Sequence, residues 1–292
     1  MTILAPLRGV TVRCFRETFA PELVQGGFTE AFTPFIAAAA GYDPLRDREL
    51  AAGAPEPLPL TPQFIGKDPV ALRSAIARIR AAGYATADLN CGCPFPMVRN
   101  KGRGSGLLRN AELLRRMLEA GCEEMGPGRF SIKVRLGVER TDELLALMPM
   151  INGFPLRFVT VHARTARQMY SGSVDRAAFA AVVAAAKVPV VENGDVPFPP
   201  EGECAVAGRM IGRGFIRALG AREDSAELLS RYLEASRREL CGDAPVLGRM
   251  KELVAYWKDL PPWRRAWSAV KIARSLDELR LALRLVSHSC GT

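Results

Sequence analysis

Ala87-Asp-Leu-Asn-Cys-Gly-Cys-Pro94 is a strand-like run, Ala87–Leu89, that breaks at once into a polar cluster rich in glycine and cysteine. The same change recurs along the chain. Phe130–Val134 runs into Arg135, Phe158–Val161 into His162 and Arg164, Val188–Val191 into Asn193-Gly-Asp195, and Arg209–Ile211 into Gly212-Arg-Gly214. Ile3–Ala5 leads into Pro6, Gln63–Ile65 is a further strand, and Leu23–Gln25 is a weak candidate ahead of Thr29 and Glu30. Helix-like segments lie between most of them: Val12–Phe19, Pro69–Ala82, Ala111–Glu124, Thr141–Met148 and Asp175–Ala186, with Ala71, Ala75, Ile76 and Ile79 spaced for one buried face. Strands alternating with helices in this number predict an α/β chain folded as a TIM (β/α)8 barrel, whose strand ends converge on one rim. A doubly wound sheet is the alternative and would spread the same residues along a crevice.

Beyond about residue 216 no strand candidates remain. Asp224–Leu240, Gly248–Asp259 and Pro262–Leu285 read as amphipathic helices, so the expected organisation is a barrel over residues 1–219 and a small all-α helical domain over 220–292. In the latter, Arg249, Lys251, Lys258, Arg264, Arg265, Lys271 and Arg274 are interleaved with Tyr256, Trp257, Trp263 and Trp267. That pattern is either a solvated helix face over an aromatic core or a basic surface for a phosphate backbone.

The 292 residues are 48% hydrophobic and 24% charged, enough for a full-sized core and incompatible with intrinsic disorder or a collagen-like repeat. Forty Lys and Arg against 31 Asp and Glu leave a net charge of +9, which favours an anionic partner without choosing one. Seven scattered cysteines with no signal peptide ahead of them read as reduced thiols of a cytoplasmic protein. No apolar run approaches the roughly 20 residues of a membrane span. With two histidines, His162 and His288, a histidine-rich metal centre is excluded, and Cys91-Gly-Cys93 lacks the second pair a zinc site needs.

Several residues carry chemistry on their own terms. Gly102-Arg-Gly-Ser-Gly106 has the wrong spacing and position for a dinucleotide loop. Asn193-Gly194-Asp195 and Gly212-Arg213-Gly214 end consecutive strands, where backbone N–H groups and an arginine can hold a phosphate; ordinary turns are the alternative. Lys133, inside an apolar strand, either points inward to an anionic or electron-rich ligand or snorkels outward under a helix. His162 either donates to the same ligand or is a satisfied core histidine. Cys93, on a tight loop between glycine and proline, is either structural or a partly exposed thiol able to deliver a proton.

Together, Asp88-Leu-Asn-Cys-Gly-Cys-Pro94, Ile132-Lys-Val-Arg-Leu-Gly137, Val161-His-Ala-Arg-Thr165, Gln168-Met-Tyr-Ser-Gly172, Asn193-Gly-Asp195 and Met210-Ile-Gly-Arg-Gly214 occur in the order and approximate spacing of the tRNA-dihydrouridine synthases. The chain resembles that family from Leu4 to about Leu285. The DLNCGCP form and Arg249-Met-Lys251 are most similar to its bacterial C-type subfamily. The resemblance implies an FMN-dependent barrel with a helical tRNA-binding domain, in which hydride reaches C6 of a uracil, a loop cysteine protonates C5 and NADPH restores the flavin. It implies Cys93 as the general acid and Asn90 as a substrate-side hydrogen-bonding group. Pro6, Leu7 and Arg8 would border the flavin, Gln63, Lys133 and His162 would contact it, and Asn193, Gly194, Asp195, Gly212 and Arg213 would hold its phosphate. Arg135 and Arg249 would touch tRNA. A monomer without metal is the favoured form.

The segment between Asp195 and Met210 is too short for the usual seventh helix, which keeps open a tRNA-binding homologue impaired in catalysis. A flavin ene-reductase acting on a free pyrimidine or another activated alkene is the remaining enzyme reading, against which the basic C-terminal helices count.

Overall fold

The computed structural model describes residues 1–50, 56–202 and 204–287; His288 and Cys290 lie outside the described residues. Packing divides the chain into two compact units. The first comprises Met1–Pro6, Phe28–Val196 and Gly202–Ile211, and the second Leu7–Gly27, Pro197–Glu201 and the chain from Gly212 onward.

The first unit is built on ten parallel segments that make eight strands. They are β1 (Thr2–Leu4), β2 (Glu30–Phe32, resumed at Ile36–Ala37), β3 (Leu60–Thr61, resumed at Gln63–Ile65), β4 (Ala87–Cys91), β5 (Phe130–Gly137), β6 (Val159–Thr165), β7 (Val190–Asn193) and β8 (Gly208–Ile211). Each half of β2 pairs with the corresponding half of β3, as Ala31 with Leu60 and Ile36 with Phe64. Since β3 also pairs with β4, and β8 with β1, the ring closes. Pro62, which has no N–H to give, marks the break in β3, and its carbonyl still accepts from Asp88 N at 3.0 Å. The fold is therefore the expected TIM barrel, with a helical C-terminal region.

Local chemistry sets the helices. Asp68 accepts from Val70 N at 2.9 Å and Pro69 follows as the first helical residue, so Pro69–Ala81 starts there and buries Ala71, Leu72, Ala75, Ile76 and Ile79. Asn110 caps Ala111–Met125 through Leu113 N, and that helix stops at Gly126, whose φ of +94° suits glycine. Glu143–Ile151 and Arg176–Ala185 complete the main set. Their apolar faces bury the outside of the strands, while Ile3, Phe32, Phe158, Val191 and Met210 form a separate small core.

Leu23–Gln25 is not a strand: it ends the helix Ala20–Gln25, in which Pro21 sits in the first turn and only Leu23 is buried. The second strand is Glu30–Phe32, a run without β-branched residues. Its buried Glu30 is neutralised by Arg157 at 2.7 and 3.0 Å and receives the Thr61 hydroxyl. Between β7 and β8 there is no helix among the described residues, in keeping with the short connection.

The helical unit contains Arg13–Thr18, Ala20–Gln25, Arg213–Ala221, Ser225–Glu239, Asp243–Val254 and three short helices over the region read as one, Pro261–Arg264, Trp267–Ile272 and Leu276–Ser287. An extended residue at Ala273 (ψ 133°) separates the last two. Phe15 and Phe19 lie 5.8 and 5.5 Å from Tyr232, which is why the segment after β1 packs here although it precedes residue 219. Trp257 and Trp263 are core residues whose indoles donate to Ile216 O (2.6 Å) and Gly220 O (3.0 Å). Lys258, Arg264, Arg265, Lys271 and Arg274 are exposed. No helix among the described residues is long and apolar enough to cross a membrane.

A methyl group at Gly121 would meet the Phe130 ring at 2.2 Å, whereas one at Gly248 would meet nothing within 4 Å. Gly121→Ala should therefore destabilise by about 1–3 kcal/mol, and Gly248→Ala should leave the thermal midpoint unchanged or raise it; equal midpoints for the two variants would contradict this packing.

Candidate active site

The chemistry-bearing residues of the barrel unit stand where β3 to β7 end. Asn90, on β4, turns its Oδ1 toward the chain that follows and accepts from Gly92 N (3.1 Å) and Cys93 N (2.8 Å). The Cys93 carbonyl accepts from Ser105 N (3.1 Å) and Ser105 Oγ (2.9 Å), and the Gly92 carbonyl from Arg135 Nε (2.9 Å). Every backbone donor and acceptor of these two residues is thus held. Ser105 can approach so closely because Gly104 precedes it: a Cβ there would lie 2.8 Å from Cys93 Cβ, and its φ is +56°. The glycine-rich segment rejected as a dinucleotide loop is the support under the cysteine. That packing leaves Cys93 only 7% exposed, more enclosed than the rim position expected of it.

Lys133 points into the barrel. Its Nζ donates to Asn193 Oδ1 at 2.8 Å, and since β6 separates their strands the contact spans the interior instead of running along a strand pair. Asn193 in turn donates to Met210 O (2.7 Å). Burial pushes the Lys133 ammonium down to about 7, Arg135 adds to the shift, and Asp88 and Cys93 oppose it. Burial likewise pushes the Asp88 carboxyl up to about 7, against the hydrogen bonds from Ser131 and Gln63 and the charge of Lys133.

Arg135 is 2% exposed and is spent inside the protein. Besides Gly92 O it donates to Thr165 O (2.9 Å) and Met169 O (2.7 Å), and its guanidinium lies 5.2 Å from the Tyr170 ring centre. A direct contact with tRNA is therefore not what this side chain offers. His162, beside Asn193 in the β6–β7 register, meets Tyr170 edge-on at 6.2 Å. Arg164 is buried, donates to Ser171 O, Gly172 O and the Asp195 carboxylate, and keeps one guanidinium nitrogen, Nη1, buried without a partner. The Asp195 side chain is thereby tied to an arginine, which leaves its backbone N–H, and not its carboxylate, as the group for the expected phosphate role. Gly194 has φ +107°, as its turn at the end of β7 requires.

Gln63 departs from expectation too. It is fully buried, with Nε2 on Asp88 Oδ2 (2.8 Å) and Oε1 receiving Asn90 Nδ2 (2.7 Å), so it turns to the protein and presents no surface to a cofactor. Of the remaining expected residues, Pro6 follows β1 in the barrel unit, while Leu7, Arg8, Gly212, Arg213 and Arg249 belong to the helical unit. There Gly212 precedes the helix Arg213–Ala221, and Arg249 is largely buried against Glu239 and Ser236, so it too is not a free contact for RNA. Asp88, Ser105, Arg164 and Tyr170 carry the site's architecture without having been assigned a role from sequence; a carboxylate within an apolar strand was the available signal for Asp88.

The dihydrouridine synthase family model matches residues 3–218. The chain belongs to that family. A probable tRNA-dihydrouridine synthase of Rhodobacter capsulatus is 31% identical over 73% of this chain and 66% of its own length. A tRNA-dihydrouridine synthase B of Xanthomonas axonopodis pv. citri is 32% identical over 72% of this chain and 64% of its own. The chain thus matches somewhat less than two thirds of these relatives' lengths. The relative that bears a type letter is of type B, where the motifs suggested type C. Among solved structures, the old yellow enzyme homologue of Zymomonas mobilis superposes with a TM-score of 0.51 at 12% identity, covering 74% of this chain and 85% of that one, a likeness of fold.

In this family member the lysine titration has a definite sign. Lys133 has its ordinary value of 10.5 when unfolded and about 7 when folded, so between those values the unfolded chain holds a proton the folded one has released, and stability rises with pH. Relative to Lys133→Met, the wild type should gain on the order of 2 kcal/mol across that window in urea midpoints; a constant difference would contradict the buried amine.

Proposed function

We propose that this chain is a tRNA-dihydrouridine synthase, which reduces the C5–C6 bond of a uridine in tRNA with FMN as cofactor and NADPH as reductant. The observation that carries the reading is the fixed Cys93 peptide at the end of β4, next in register to the strand that turns Lys133 into the barrel. Family membership supports it.

The donors present fit a flavin. Lys133 and His162 supply a cation and a ring nitrogen at the strand ends, and the unpartnered Nη1 of Arg164, whose charge is already met by Asp195, is a buried N–H donor for an acceptor atom of the ligand. FMN, when bound, supplies the hydride that no side chain can. Lys133 and His162 would hold its ring, and Asn193, through Lys133, sets where the ammonium sits. Cys93 would hold the proton destined for C5, on a peptide that cannot drift because both its carbonyl and its N–H are fixed. Pro6, Leu7, Arg8, Gly194, Gly212 and Arg213 remain the expected flavin border and phosphate residues.

For RNA, the helical unit offers exposed Lys258, Arg264, Arg265, Lys271 and Arg274. The barrel unit adds a groove of about 950 Å³ lined in part by Arg140, Arg167 and Arg176, all three mostly exposed. In each unit, such cations offset part of the few kcal/mol needed to take a uridine out of its stack. A tRNA substrate places the protein in the cytoplasm. The β7–β8 connection, which has no helix among its described residues, favours one second reading, a tRNA-binding homologue impaired in catalysis.

Incubation with NADPH and tRNA lacking the modification should yield dihydrouridine, measured by mass spectrometry of nucleosides. Cys93→Ala should lower turnover by at least about 100-fold and keep the flavin absorption. Full activity in that variant would remove Cys93 as proton donor, and a protein that takes up no FMN yet binds tRNA would favour the second reading.

A further inference from the structure

The amide of Asn90 has two sterically similar ends of opposite chemistry, and the Cys93 loop needs the oxygen. Gly92 N and Cys93 N both donate to Oδ1. The nitrogen end must then find an acceptor, and it finds Gln63 Oε1 at 2.7 Å. That choice turns Gln63 Nε2 to Asp88 Oδ2 at 2.8 Å, and Asp88 Oδ1 receives Ser131 Oγ at 2.7 Å. Each link points the same way, from the loop toward Asp88. Asp88, Gln63 and Ser131 have essentially no exposed surface, so no water can take over a link that turns round. A reversed Asn90 would face its NH2 at two peptide N–H groups and leave both without an acceptor.

We propose that Asp88 is a positioning residue: as the acceptor that closes this one-way chain, it fixes the orientation of Gln63 and Asn90 and so the place of the Cys93 peptide. A carboxyl in the interior of the barrel then has a role, because both of its hydrogen-bond partners are donors. What matters is an acceptor at the closed end, because two donors, an amide and a hydroxyl, meet it there. Its consequence for turnover rests on the reading of Cys93 as proton donor; the hydrogen-bond chain itself does not.

Amide hydrogen exchange of the FMN-loaded protein tests it without RNA. Asp88→Leu should speed exchange at Gly92 and Cys93 by at least about tenfold, the factor for losing roughly one buried hydrogen bond, over any change shared by the other strand amides. Asp88→Asn should keep both amides within about threefold of wild type, since its oxygen can still accept from Gln63 while the Ser131 hydroxyl rotates to receive the new N–H. Gln63→Met, which breaks the middle link with little change of volume, should reproduce the Leu result if Asp88→Leu does not fold. Exchange at Gly92 and Cys93 that follows the other strands in Asp88→Leu or Gln63→Met, or that is as fast in Asp88→Asn as in Asp88→Leu, overturns the proposal. Faster exchange with unaltered turnover on tRNA would instead keep the chain and remove Cys93 from the reaction.

Discussion

Closure of the sheet is the constraint on which everything else in the barrel unit depends. A parallel strand carries hydrogen-bonding groups along both edges, and here β3 supplies the last pair of edges by continuing past Pro62, so that β2 on one side and β4 on the other are both satisfied. Only in a closed ring do Lys133 on β5 and Asn193 on β7 meet across the interior with β6 between them. The same closure encloses Asp88 and Gln63 completely, and among the described residues their side-chain polar groups pair with one another and with Asn90 and Ser131.

That enclosure raises the stakes of each buried charge. Arg135, Arg164, Lys133 and Asp88 would each cost several kcal/mol if desolvated alone. Arg135 is met by three carbonyls and an aromatic face, and Asp88 by an amide and a hydroxyl. Lys133 is met by one amide oxygen, and Arg164, though paired with Asp195 and two carbonyls, retains one unpartnered nitrogen, so both keep a donor for a ligand.

Much of the barrel was legible because its longer strands, Phe130–Gly137 and Val159–Thr165, are apolar runs that end abruptly in charged or glycine-rich clusters. The second strand was missed because Glu30-Ala-Phe32 has neither alternation nor β-branching and contains a buried acid whose partner, Arg157, is far away in sequence. The site was legible as a set of strand-end residues, but not as a division of labour. Arg135 and Gln63 look like ligand contacts in one dimension; in three, their hydrogen bonds go to Gly92 and to Asp88 and Asn90. The support from Ser105 depends on a 12-residue separation that no periodicity encodes. The helical character of the C-terminal region was legible, but not that Leu7–Gly27 packs with it, since the Phe15 and Phe19 contacts to Tyr232 span more than 200 residues; its aromatic residues, read as either core or surface, are core at Trp257 and Trp263.

On the function proposed above, the mouth formed by the ends of β4 to β7 is the redox centre. A crystal structure of the protein reconstituted with FMN tests it most directly. The flavin ring is expected against Lys133, with the Cys93 sulfur across an open gap wide enough for a pyrimidine. A flavin bound away from Lys133, or a Cys93 sulfur turned from the ring into the Gly104–Ser105 turn, would contradict it.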